Sequence, residues 1–175
     1  MPLQDNKTKK FVLAAVLCGV ALALSLVDNA VSSAIAFLPG FKLGLANVMS
    51  LYALYTLGLP YAMMILLARS FLTALLSGNL TMLLFSLTGG AASILVMFAL
   101  ARVVSLIKAS VSGGITHNCM QVLVAVLFTS TPQTAYYLPV LIGMGAVSGF
   151  AMGVICRLVV RKMPNTKFVY GTYEK

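Results

Sequence analysis

The sequence predicts an all-α integral membrane protein, a bundle of six transmembrane helices with both termini in the cytoplasm. Hydrophobic residues make up 61% of the 175-residue chain, charged residues only 9%, and the mean hydropathy is +1.02. A soluble domain of this length cannot bury so much apolar surface, since average domains carry about 25% charged residues. The charges also stand in short clusters between apolar runs of membrane-spanning length. The net charge of +9 therefore requires no nucleic-acid partner.

The chain begins with a polar, basic tail at residues 1–10, followed by an apolar run at residues 11–27. This order is typical of a secretory signal. Leu17 precedes Cys18 where a lipoprotein signal has a small residue, and no small-x-small cleavage site ends the run. These features favour a retained first span.

Small residues recur at every fourth position in two of the spans. In the first span they are Ala15, Gly19 and Ala23, and they allow another helix to approach closely. Two interpretations follow, packing within the same bundle or docking of a partner subunit. A second stripe predicts a packing face in the last span: Gly145, Gly149 and Gly153.

The remaining spans are separated by turns and short polar segments. Asp28-Asn29 is expected to close the first span, and residues 30–38 are too short to cross and should form an outer loop or re-entrant segment. Gly89-Gly90 predicts a bend or a close backbone contact in the fourth span. Residues 108–114 are expected to form a polar inner loop. Spans two to six are expected at about residues 43–57, 61–76, 81–104, 115–128 and 138–160, with a basic cytoplasmic tail at 161–175 and the whole membrane domain at 11–160.

The distribution of lysine and arginine predicts the orientation. Short cytoplasmic segments collect these residues. With the N-terminus inside, ten of the twelve fall on the inner side, Lys42 alone lies outside, and Arg69 lies within a span. The turn at Pro39-Gly40 and the start of the second span then face the exterior.

Arg69 is the most costly residue to place in a bilayer. It lies roughly 12 Å from either surface at ~1.5 Å per residue, where an unpartnered arginine costs on the order of 3 kcal/mol or more. Asp5 and Glu174 are in the tails, so Asp28 is the one internal counter-ion. Two interpretations remain: Arg69 reaches Asp28 or backbone carbonyls, or it receives an anionic ligand group.

Polar side chains also collect in the fifth span. His117 and Gln121 are four residues apart and share a helix face, with Asn118 beside them. They are expected either to line a cavity or to join helices near the cytoplasmic end. A metal site is not expected, because His117 and Cys119 point to different sides and no carboxylate joins them.

The sequence lacks the motifs of common enzymes. It has no P-loop and no paired carboxylates for acid–base chemistry or for magnesium on a diphosphate. No cofactor and no catalytic residue is predicted. Two halves with matched broken helices, the plan of many independent transporters, are also absent. The chain is better suited to binding a ligand than to driving its transport.

Five motifs carry a resemblance to a known family. They are Phe37-x-Pro39-Gly40-x-Lys42-Leu43-Gly44-Leu45-Ala46-Asn47, Arg69 with Leu76-x-Gly78, Ser86-Leu87-x-Gly89-Gly90, His117-Asn118-x-x-Gln121 and Tyr136-Tyr137-Leu138-Pro139. Together they resemble the Gx transporter family, which is also labelled heptaprenyl diphosphate synthase component I. The resemblance covers about residues 11–160.

The resemblance implies a substrate-binding subunit. The implied architecture is similar to the S components of energy-coupling factor (ECF) importers in the cell membrane. Such a subunit captures a small vitamin-like molecule from outside and docks on a transmembrane coupling subunit with two ATPases. The stripe at Ala15, Gly19 and Ala23 would serve in docking, and residues 30–42 would form a lid. The expected ligand-binding residues are Phe37, Lys42, Asn47, Arg69, Asn79, His117, Asn118, Gln121, Tyr136 and Tyr137.

Two other functions remain open. The synthase label fits a non-catalytic accessory subunit of polyprenyl diphosphate or quinone synthesis, because the chain lacks the aspartate-rich motifs that hold magnesium for prenyl transfer. The second of these functions is a small transporter that works as an oligomer without partner subunits. An anionic, partly apolar ligand would suit Arg69, Lys42, Phe37, Tyr136 and Tyr137.

Overall fold

A computed structural model of the chain describes residues 7–34, 44–162 and 169. These residues are all-helical and include no strand, which confirms the predicted class. Phe37, Lys42, most of the expected lid and most of both tails lie outside the described residues. The elements are α1 (Lys7–Ala34), α2 (Asn47–Thr56), α3 (Leu59–Ser77), α4 (Leu80–Leu100), α5 (Leu106–Thr129), a 3-10 helix (Pro132–Tyr137) and α6 (Leu138–Arg161).

Five segments of the described residues are long and apolar enough to cross a membrane, judged by length and composition. The chain is therefore a multi-pass membrane protein. The exception is α2, whose 10 residues extend ~15 Å against a hydrocarbon core of about 30 Å. Eight of its side chains are buried, and Leu51, Leu54 and Tyr55 are at the centre of the core. The six-span count and the cytoplasmic orientation of the termini stay predictions.

Two predicted boundaries are wrong. The first helix does not end at Asp28-Asn29, because α1 continues to Ala34. Asp28 is 4% exposed and its carboxylate accepts a hydrogen bond from the Gly44 amide, so it faces protein and does not mark the water boundary. Residues 108–114 are not a loop either, since α5 begins at Leu106, with Ser105 as its N-cap.

The small residues predicted to form that loop pack against α6. A Cβ at Gly114 would overlap the Gly145 carbonyl oxygen, and one at Gly149 would lie 2.7 Å from the Ser110 carbonyl oxygen. The Ser110 hydroxyl donates to the Gly149 carbonyl at 2.7 Å. Gly153 also faces Ser110. The packing face predicted for the last span is confirmed, and close approach of two backbones is the reason for its glycines.

The stripe in α1 faces away from the bundle. Ala15, Gly19 and Ala23 are all exposed, and a Cβ at Gly19 would meet no atom within 4 Å. The buried face of α1 instead contains Ala14 and Ala21. The expectation that the stripe packs within the bundle is therefore wrong, and its surface is accessible to another helix.

The glycine pair in α4 makes the predicted close contacts. The helix is continuous through both residues. A Cβ at Gly90 would overlap the Leu66 side chain of α3, and one at Gly89 would come within 3.1 Å of the His117 ring of α5. Gly89 thus allows the imidazole to lie against α4.

Candidate ligand-binding site

One cavity in the described residues collects polar side chains from five helices. Its volume is about 470 Å³ when the space at its mouth is included. Ten of its fourteen lining residues are polar, and none is Phe, Tyr or Trp. The polar lining residues are Ser25, Asp28 and Asn29 of α1, Asn47 of α2, Arg69, Ser70 and Thr73 of α3, Ser86 of α4, and His117 and Gln121 of α5.

The lining positions belong to one end of the bundle. They come from the C-terminal halves of α1 and α3, the beginnings of α2 and α4, and the middle of α5. Because α1, α3 and α5 alternate with α2 and α4 along the chain, these segments meet on the same side. With the N-terminus in the cytoplasm, as the lysine and arginine distribution predicts, this is the outer side.

Arg69 is buried at this cavity, and its hydrogen-bond partners are neutral side chains. Only 5% of its surface is exposed. Its Nη1 donates to the Ser25 hydroxyl at 3.2 Å, and its Nη2 donates to Asn47 Oδ1 at 3.3 Å. Its Nε makes no hydrogen bond to any residue that the structure describes. Hydroxyl and amide oxygens leave the formal charge of the guanidinium in place.

Asp28 lines the same cavity and attracts Arg69 electrostatically. Its Oδ2 accepts a hydrogen bond of 2.9 Å from the Gly44 amide. Gly44 has a φ of +74°, a conformation that glycine adopts readily, and its carbonyl accepts from the Asn47 amide at 2.9 Å. This turn therefore places both Asp28 and Asn47 beside Arg69.

His117 and Gln121 form a second polar group in the cavity. They are 7% and 3% exposed, and His117 Nε2 lies 3.0 Å from Gln121 Nε2. Gln121 Oε1 is buried and has no hydrogen-bond partner among the described residues. The prediction that these two side chains share a cavity-lining face is confirmed.

Asn118 has a different role from its neighbours. Its side chain is 4% exposed and donates to the Leu141 carbonyl of α6 at 2.7 Å. It is not among the cavity-lining residues. The helix-joining interpretation therefore describes Asn118, whereas the cavity interpretation describes His117 and Gln121.

Three other expected ligand-binding residues lie away from the cavity. Asn79 is exposed, and its Oδ1 accepts from the amides of Thr81 and Met82 as the N-cap of α4. Tyr136 and Tyr137 are 83% and 45% exposed in the 3-10 helix. The aromatic side chains expected to hold an apolar part of the ligand therefore do not line the described cavity, and their ligand-binding role stays a prediction.

Several hydroxyl-bearing lining residues are absent from the set that the sequence predicts. Ser25 precedes Asp28 by three positions, and Thr73 follows Arg69 by four, so helical spacing from the two charged residues is a signal that could find both. Ser70 and Ser86 join α3 to α4 through a hydroxyl pair of 2.7 Å. Serine and threonine are so common in membrane helices that no single one stands out.

A comparison with protein families adds to this geometry. The sequence model of the family described as heptaprenyl diphosphate synthase component I matches residues 17–159. The chain belongs to this family. The resemblance inferred from the motifs is thereby confirmed. A search of curated proteins and a search of solved structures each found no match.

The family name refers to a synthase. The side chains of this family member that could bind a metal ion can therefore be compared with those that prenyl transfer requires. Among the described residues, no three His, Cys, Asp or Glu side chains are grouped to hold a metal ion. Prenyl transfer relies on carboxylates that hold magnesium on a diphosphate. The cavity of this family member offers one carboxylate, Asp28, next to a cation and neutral polar groups.

Proposed function

We propose that this protein is the substrate-binding subunit of an ECF-type importer in the cell membrane, with an S-component-like fold. It binds a small vitamin- or cofactor-like anion from outside, and a transmembrane coupling subunit with two ATPases supplies the energy. The subunit itself performs no catalysis. The observation that carries the proposal is Arg69, a buried cation whose hydrogen-bond partners are neutral and which lines a cavity between five helices with Asp28 nearby.

The position of the cavity supports capture from outside. Its lining comes from one end of the bundle, which is the outer end in the predicted orientation. An intramembrane charge that faces a cavity in the bundle is typical of substrate sites in membrane proteins. The family match and the five long apolar segments agree with a membrane subunit of this kind.

The exposed stripe in α1 supports a docking partner. Ala15, Gly19 and Ala23 allow close approach of another helix, and nothing within the described bundle occupies the space beside Gly19. We therefore expect Gly19→Leu to fold normally and to lose association with the coupling subunit. Co-purification with the two ATPases and the coupling subunit, followed by ATP-dependent uptake in liposomes, measures this.

Gly143 of α6 provides the matched control. It is also exposed, and a Cβ there also meets nothing within 4 Å. Gly143→Leu should therefore keep the complex. Loss of the complex in both variants would contradict a specific docking role of the α1 stripe. Failure of the unmodified chain to associate with any coupling module would contradict the importer proposal.

A second function is favoured by the family name. As a non-catalytic accessory subunit of polyprenyl diphosphate or quinone synthesis, the protein would raise the activity of a catalytic subunit in lipid without any ATPase. Measuring synthase activity with and without the purified protein separates the two functions, because an importer subunit leaves that activity unchanged.

A further inference from the structure

The buried polar atoms at the cavity that make no hydrogen bond to any residue that the structure describes include Arg69 Nε, Thr73 Oγ1 and Gln121 Oε1. Their residues are 5%, 8% and 3% exposed. All three residues line the same cavity. Buried polar atoms in native proteins are almost always paired with protein, ordered water or a ligand, so these three atoms mark where a bound molecule can pair with the lining.

The three atoms differ in what they can bind. Arg69 Nε is a donor only, and the Thr73 hydroxyl is both a donor and an acceptor. Gln121 Nε2 lies against His117 Nε2, which leaves the Gln121 Oε1 atom as an acceptor only. A molecule that pairs all three must present an acceptor atom toward Arg69, an N–H or O–H donor toward Gln121, and an atom of either kind toward Thr73.

The rest of the lining limits the character of that molecule. Arg69 and Asp28 are its charged members and have opposite signs, so the lining carries no net formal charge with neutral histidine. Its other polar residues carry hydroxyl, amide and imidazole groups, and none of its members is Phe, Tyr or Trp. Such a lining offers hydrogen-bonding groups to a bound molecule from several helices.

We infer that the ligand is a small organic acid whose anionic group binds Arg69 and Thr73 and whose N–H or O–H group donates to Gln121. The inference rests on the proposed function, in which this cavity is the substrate site of an importer, and it names the class of substrate that the site binds. A prenyl diphosphate, a quinone or a fatty acid lacks this donor and does not fit the class.

The test uses the full-length protein in lipid nanodiscs and three series of probes. The series are unbranched carboxylates of three to six carbons, the same acids with an ω-hydroxyl group, and the same acids with an ω-methoxy group. Dissociation constants are measured by isothermal titration calorimetry. The best ω-hydroxy acid should bind about tenfold more tightly than the plain acid of the same length, because the plain acid leaves a buried acceptor unpaired. The ω-methoxy acid should bind no better than the plain acid.

Variants of Gln121 test whether its Oε1 atom causes the preference for ω-hydroxy acids over plain acids. Gln121→Met has a similar length and no acceptor, so the ratio between ω-hydroxy and plain acid should fall to about one. Gln121→Glu keeps acceptor oxygens at the same place and should retain a preference, which covers the case in which the methionine variant does not fold. Gln133→Met, at an exposed position of the 3-10 helix, is the matched control and should behave as the unmodified chain.

Several results would overturn the inference. They are equal binding of the plain and ω-hydroxy acids, tighter binding of the methoxy acid, binding of none of the probes, or a preference that persists in folded Gln121→Met. If the complex with the coupling module forms and transports but the preference for ω-hydroxy acids is missing, only the inference about the ligand is wrong. If that preference is present but no coupling module associates, only the importer proposal is wrong.

Discussion

Replacing Arg69 with alanine tests whether the buried cation binds the ligand. The side chain lies among Ser25, Asn47 and Asp28, and its Nε makes no hydrogen bond within the described residues. A hydrogen bond to a charged group contributes about 1.5–3 kcal/mol, and each 1.4 kcal/mol is tenfold in affinity. We therefore expect Arg69→Ala to weaken binding by about 10- to 150-fold.

Arg69→Lys separates charge from geometry. A lysine retains the positive charge but lacks the planar fork of donors, so its affinity should fall between those of the unmodified chain and the alanine variant. Arg69→Lys should still fold because it keeps a cation near the buried Asp28 carboxylate, whereas Arg69→Ala removes that cation and should lower the stability. Arg102→Ala is the matched control, since Arg102 is exposed outside the cavity and its removal should leave binding unchanged.

The assay begins with mass spectrometry of the ligand that the protein retains in mild detergent. Its dissociation constant is then measured by isothermal titration calorimetry for the unmodified chain and the three variants, and size-exclusion chromatography reports their folding. Equal affinity in the unmodified, alanine and lysine proteins would show that Arg69 only supports the structure and would refute the reasoning.

Two further predictions concern the helices around the site. Gly114→Ala should destabilise the protein by about 1–3 kcal/mol, because the added Cβ overlaps the Gly145 carbonyl oxygen; thermal unfolding measures this, and an unchanged melting temperature would contradict the α5–α6 packing. Asn79→Ala should cost about 1 kcal/mol as a lost N-cap while leaving the ligand dissociation constant unchanged. A clear loss of affinity in a stable Asn79→Ala protein would return Asn79 to the ligand site.

Helical spacing alone predicts much of the candidate site. His117 and Gln121 form a predicted pair because residues four apart share a face, and Arg69 stands out because a charge within a span is costly. Both inferences depend on one helix at a time. The sequence also groups Asn118 with this pair because it is adjacent to His117. Adjacency in sequence does not show which neighbouring helix a side chain meets, so the contact of Asn118 with α6 could not be predicted.

The sequence by itself determined that this protein is a multi-pass helical membrane protein of its family, and that Arg69 and the His117–Gln121 pair are its candidate ligand residues. Apolar content, charge spacing and helical periodicity are local properties, so they can be read without knowing how the helices pack. Only the tertiary structure decided that α2 is short and buried, that the α1 stripe faces outward, and that Ser25, Ser70 and Thr73 line one cavity with Arg69. These features depend on which face each helix turns toward its neighbours, and that choice is made by the packing of all the helices together.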